Sequence, residues 1–134
     1  MASNSRMQGV VGVGSAVSYF TMNEIPVFIP LSEYTDYDLV VDMGGLKKVQ
    51  VRTSRFKNEQ GRYAVNMKVC GGNAKANKIH KVGSDMVYDY LFVHLDDGRN
   101  YFIPKDVIAN VRSQIVMGKK YEKYRVSMQV AKAC

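Results

Sequence analysis

At 134 residues the chain fits one domain, large enough to bury roughly two-thirds of its unfolded surface without metal or disulfide staples. Its 46% apolar and 23% charged residues exclude a disordered or fibrous chain. No stretch nears the roughly 18 apolar residues of a bilayer span, and the start lacks a cleavable signal pattern. Cys70 and Cys134 stand too far apart for zinc-ligand spacing, which points to a reduced, intracellular setting.

The net charge of +7 is unevenly spread: residues 1–46 carry −4, residues 47–82 carry +9 and residues 83–134 carry +2. A basic segment beside an acidic one suits an anionic polymer, such as nucleic acid, held next to a site for cations. A solvated lysine-rich surface produces the same count, so charge leaves both readings open.

In chain order, residues 1–8 read as a flexible polar tail and 9–134 as a single domain. From Gly9 to about Met22, Val10, Val13, Val17 and Phe20 recur at helical spacing, although Gly9, Gly12 and Gly14 each weaken a helix by up to about 1 kcal/mol. Val27-Phe28-Ile29 before Pro30 is a short strand. Tyr37–Met43 alternates, with Tyr37, Leu39 and Val41 on one face and Asp38, Val40 and Asp42 on the other. Gly44-Gly45 makes a tight turn into a strand over Leu46–Ser54, where Val49 and Val51 oppose Gln50, Arg52 and Ser54.

A further strand is expected over Tyr63–Val69, then a polar loop from Cys70 to about Ser84 with Lys75, Lys78, His80 and Lys81. Met86–Leu95 reads as a strand, turned by Asp96-Asp97-Gly98 into Asn100–Ile103. Pro104 at a first helical position, with Asp106 in the first turn, predicts a helix to about Ile115. Tyr124–Val130 alternates as a last strand or tail. This order specifies an α+β domain built on a mixed sheet. His94 and the set Tyr63, Tyr88, Tyr90 and Tyr101 fall on strand patterns, as structural side chains do.

The chemistry-bearing constellation is Asp38 on one strand with Gln50 and Arg52 on the next. Residues two apart on a strand share a face, so Gln50 and Arg52 can meet what Asp38 faces. A carboxylate and an amide oxygen are hard ligands suited to Mg²⁺, and a fixed cation beside them suits a phosphate. Phosphodiester hydrolysis needs these parts. Asp42 reads as a turn residue.

Tyr37-Asp38-Leu39-Val40-Val41-Asp42, the Gly-Gly turn and Lys48-Val49-Gln50-Val51-Arg52-Thr53 resemble the core of PD-(D/E)XK nucleases. The match is nearest the branch of intron-encoded homing endonucleases and related phage and prokaryotic nucleases in which Gln replaces the usual acid. Val27–Pro30, Asp89–Val93 and Tyr101–Pro104 extend the likeness over roughly residues 9–110.

The resemblance implies a restriction-endonuclease-like mixed sheet flanked by helices. It also implies Mg²⁺- or Mn²⁺-dependent cleavage of double-stranded DNA by a homodimer or homotetramer, in a prokaryotic or phage-encoded, cytoplasmic protein. By the same likeness Asp38, Gln50 and Arg52 are the catalytic positions. The metal falls to Asp38, Gln50 and the Val51 carbonyl, and the DNA backbone to Lys47, Lys48, Arg55, Lys57, Lys75, Lys78 and Lys81. Two positions depart from the family pattern. Arg52 stands where the family has a lysine, and Val13 stands where its helix often has an acid; Glu24 is the nearest substitute on that helix. A chain so altered has a second reading, a nuclease fold that binds DNA with weakened or no cleavage.

Overall fold

The strand–turn–strand unit around Gly44-Gly45 is the centre of the molecule. In the structure, a computed structural model that describes residues 5–32, 34–67, 87–111 and 113–128, β2 (Leu39–Asp42) and β3 (Leu46–Ser54) pair antiparallel. Leu39 lies opposite Val49 and Asp42 opposite Leu46. Asp42 closes the turn by accepting the Gly45 N–H at 3.1 Å, and Gly44 takes φ +77°, which glycine adopts without steric cost. Asp42 is therefore a turn residue, as its place in the sequence implies.

β1 (Val27–Phe28) adds to the outer edge of β2, antiparallel. On the other side of β3 lies β5 (Tyr90–Leu95), parallel, with Val49 opposite Tyr90 and Ser54 opposite Leu95. β5 turns into antiparallel β6 (Asn100–Pro104), and β8 (Arg125–Val126) closes that edge. The order β1-β2-β3-β5-β6-β8 makes a six-stranded mixed sheet.

Alternation along β3 divides two cores. Val49 and Val51 face α1 (Ser5–Met22) and are buried with Leu39, Val41, Phe92, Ala16 and Phe20. On the far face Leu91, Val93, Leu95, Tyr101 and Ile103 pack beneath a ribbon of β4 (Ala64–Asn66) and β7 (Gln114–Val116). Tyr63 and Tyr101 are buried there, and Tyr90 stacks on Phe102 with centroids 4.5 Å apart, so these rings are structural. His94 is tied to the Asn100 side chain at 2.7 Å.

Several expected elements differ. The helix begins at Ser5, so residues 5–8 of the expected tail are helical; Arg6, Met7 and Gln8 are all good helix formers. No helix runs from Pro104 to Ile115. Lys105–Ile108 makes a single 3-10 turn, and Ile115 lies in β7 opposite Val65. The β-branched Ile115 and Val116 favour extended backbone, and their pairing with β4 overrides the proline signal. Lys119–Tyr124 is another 3-10 turn, leaving two residues of the last expected strand as β8, with 129–130 outside the described residues. β5 starts at Tyr90 rather than Met86, and β4 spans less than Tyr63–Val69. Loop 70–84, with Lys75, Lys78, His80 and Lys81, lies outside the described residues.

Candidate functional site

Asp38 sits one residue before β2. Its N–H donates to the Val49 carbonyl at 2.9 Å, which carries the strand pairing one step further. Its Oδ2 accepts the Val51 N–H at 2.8 Å. The carboxyl group is thereby fixed against the backbone of β3 between Gln50 and Arg52. Those two half-buried residues share the face turned away from α1, because Val49 and Val51 on the opposite face are buried under it. Of the three residues expected at one pocket, β3 places Gln50 and Arg52 on one face, and Asp38 is anchored to the Val51 N–H between them.

The electrostatics are a contest that burial wins. Burial raises the Asp38 carboxyl above the ordinary aspartate value of 3.8, against the Val51 N–H and the Arg52 charge, which both lower it. Burial likewise raises Tyr88, opposed by the same Arg52 charge. Arg52 therefore lies within electrostatic reach of both. Its Nε is buried without a hydrogen-bond partner, and among the described residues no ion pair within 4.0 Å involves it. A buried donor left unpaired costs on the order of 1–3 kcal/mol, a cost that an oxygen acceptor at that N–H would remove.

The donor set can be tested against a metal. Among the described residues no group of three His, Cys, Asp or Glu side chains gathers. What β2 and β3 offer is one carboxylate, the Gln50 amide oxygen and backbone carbonyls, all hard oxygens. Mg²⁺ is commonly held by one or two carboxylates together with substrate phosphates, so this set fits an ion that arrives with a phosphate.

The helix supplies no acid. Val13 packs into the core beneath α1. A Cβ at Gly12 would strike Thr53 Cγ2, so the helix lies directly on β3 at this point. Glu24 is no substitute: it takes φ +60° where α1 ends, with the Ile25 N–H closing onto the Phe20 carbonyl at 2.8 Å. Two residues on, the Pro26 carbonyl accepts from Asp42 N–H, at the end of β2 remote from Asp38.

The basic residues separate. Lys48 is exposed on the face of Gln50 and Arg52, with Nζ 5.2 Å from the Tyr37 ring centroid. Lys47 is half-buried and alternates to the α1 side. Arg55 and Lys57 are exposed beyond the end of β3, Lys57 Nζ standing 5.0 Å from the Tyr63 ring centroid. Tyr88 and Asp89 were not singled out by sequence reasoning as neighbours of the site. Asp89 Oδ2 accepts the Lys48 N–H at 2.9 Å across 41 residues, a parallel pairing with no local signal.

A family model described as PD-(D/E)XK endonuclease matches residues 3–133. Among solved structures, a bacterial homing endonuclease, I-Ssp6803I, shares the fold with a TM-score of 0.76 and 24% identity, over 92% of this chain and 89% of that one. At that identity the likeness is one of fold. No match emerges among curated proteins.

Proposed function

The chain belongs to the PD-(D/E)XK endonuclease family, and from that premise we propose that it cleaves double-stranded DNA by metal-dependent phosphodiester hydrolysis at Asp38, Gln50 and Arg52. The observation that carries this reading is the buried, unpartnered Arg52 Nε beside the fixed Asp38 carboxyl. Asp38, Gln50 and the Val51 carbonyl would hold Mg²⁺ or Mn²⁺. The chemistry such an ion would supply is neutralisation of charge on the phosphoryl oxygens and activation of water at neutral pH.

The chain's own residues do the rest. The Val51 N–H fixes one oxygen of Asp38 and so orients the other. Arg52 stays charged at every working pH, so it clamps a non-bridging phosphate oxygen and cannot serve as a base. Tyr88, raised by burial, keeps its phenol proton near that clamp as a neutral donor. Lys48, Arg55, Lys57, Lys75, Lys78 and Lys81 grip the backbone. The protein acts in the cytoplasm as a homodimer or homotetramer, which brings two sites to the two strands. Among the described residues no helix is long and apolar enough to cross a membrane.

One observation favours a second reading, a nuclease fold that binds DNA without cutting it: among the described residues Asp38 belongs to no group of three or more His, Cys, Asp or Glu side chains. Supercoiled plasmid incubated with Mg²⁺, Mn²⁺ or chelator separates the two. The expected result is nicked and linear product that needs metal and falls at least about 100-fold in Asp38→Ala and Arg52→Ala. No product from the parent chain, with salt-sensitive DNA retention intact, establishes the second reading instead.

A further inference from the structure

The stretch joining β1 to β2 carries large apolar side chains that the free protein leaves in water. Phe28 is 52% exposed, Ile29 67% and Tyr34 97%, and Leu31 is fully exposed. Single exposed apolar residues are ordinary, but here one at the end of β1 and three in the connection beyond it are exposed together. The connection is held in shape: the Tyr34 N–H donates to Ser32 Oγ at 3.1 Å and Thr35 Oγ1 donates to the Tyr37 carbonyl at 2.8 Å. Pro30 fixes a further dihedral.

Its position matters as much as its composition. Tyr34 precedes Asp38 by four residues. Phe28 pairs with Val40, and Val40 with Lys48, so Phe28 and Val40 lie on the sheet face of Gln50 and Arg52. Phe28 thus shares a sheet face with the exposed Lys48 and with Arg52, whose buried Nε has no partner, and the connection runs in sequence from Phe28 to Asp38. A purely apolar partner would leave the two cations unsatisfied, whereas a nucleic acid offers bases to the first group and phosphates to the second.

We infer that Leu31 and Tyr34 form a wedge that enters the base stack next to the phosphate held at Arg52, with the Tyr34 ring stacking on an unstacked base. This rests on the DNA-cleaving site proposed above and narrows its substrate to DNA that opens readily: bubbles, mismatches and branch points. Opening is least costly where pairing is already lost. Apolar wedges inserted at a base step unstack and kink the duplex. An aromatic ring under one base changes affinity by roughly 5- to 150-fold.

The test uses the full chain in Ca²⁺ in place of Mg²⁺, with a duplex carrying 2-aminopurine, either fully paired or inside a short bubble. Affinity is read by anisotropy and stacking by 2-aminopurine quenching. The parent is expected to bind the bubble at least about 10-fold more tightly and to quench its probe. Tyr34→Ala abolishes that preference and the quenching while holding paired-duplex affinity within about two-fold, and Tyr34→Phe, which keeps the ring, retains both. Equal affinity of the parent for both DNAs, or a preference untouched by Tyr34→Ala, overturns the wedge and leaves the site reading standing. The absence of any salt-sensitive DNA binding overturns both. Self-association of the parent in sedimentation that Leu31→Ala and Tyr34→Ala abolish assigns the residues to a protein interface and overturns the wedge.

Discussion

Asp38 is a side chain whose burial works against the fold that holds it. Its carboxyl is raised because burial outweighs both the Val51 N–H and the Arg52 charge. The folded chain then keeps a proton at a pH where the unfolded chain has released it. The favourable contribution is complete below the unfolded value and is lost as pH rises through the raised folded one, so at neutral pH the carboxylate weakens the fold. Asn in its place keeps an oxygen for the Val51 N–H without the charge. Asp38→Asn is therefore expected to melt no lower than the parent at neutral pH, with an advantage that grows as pH rises from about 3 and then levels off. Cleavage should meanwhile drop at least about 100-fold. Thermal melts across that range and a plasmid assay decide it, and a neutral-pH melting point below the parent's refutes the argument. Asp38, Gln50 and Arg52 were legible in the sequence because strand alternation and a glycine turn fix their relation locally. Tyr88 was not, because the partner that brings it to Arg52 is a parallel strand some forty residues away.

Helix α1 carries three glycines that look equivalent in sequence, and packing separates them. A Cβ at Gly9 or Gly14 would meet nothing within 4 Å, whereas one at Gly12 would strike Thr53 Cγ2. Gly14→Ala should then stabilise the chain by about 0.5–1 kcal/mol, the ordinary helix gain. Gly12→Ala should destabilise it by about 1–3 kcal/mol, since a β-branched neighbour is stiff and the helix must lift from β3. Adding Thr53→Ser removes the obstructing methyl and should recover most of that loss, as denaturant midpoints of the single and double variants will show. If Thr53→Ser brings no recovery, the helix is not seated on that methyl. The hairpin of β2 and β3 was readable because its period, its Gly-Gly turn and its apolar face agree. β7 was not: its three residues become a strand only by pairing with β4, a tertiary fact stronger than the Pro104 helix signal.

For the whole molecule, the layers decide which side can hold a polyanion. Over its eighteen residues α1 carries a single charge, Arg6, so the face beneath it offers little to a phosphate backbone. The opposite face bears Arg52 and Lys48, with Arg55 and Lys57 beyond the end of β3. If DNA is held on this face, its affinity should fall steeply with salt at a slope of about −0.9 per phosphate neutralised. Lys47 and Lys48 are neighbours in sequence but alternate to opposite faces of the sheet. A bulk electrostatic effect would treat them alike, because each removes one unit from the same net charge. Contact with a backbone on the Arg52 face would not. Lys48→Ala is expected to reduce the salt slope by about 1, and Lys47→Ala to leave it unchanged. Affinities measured over a series of salt concentrations give both slopes, and equal losses would mean that the DNA is held by diffuse charge with no preferred face.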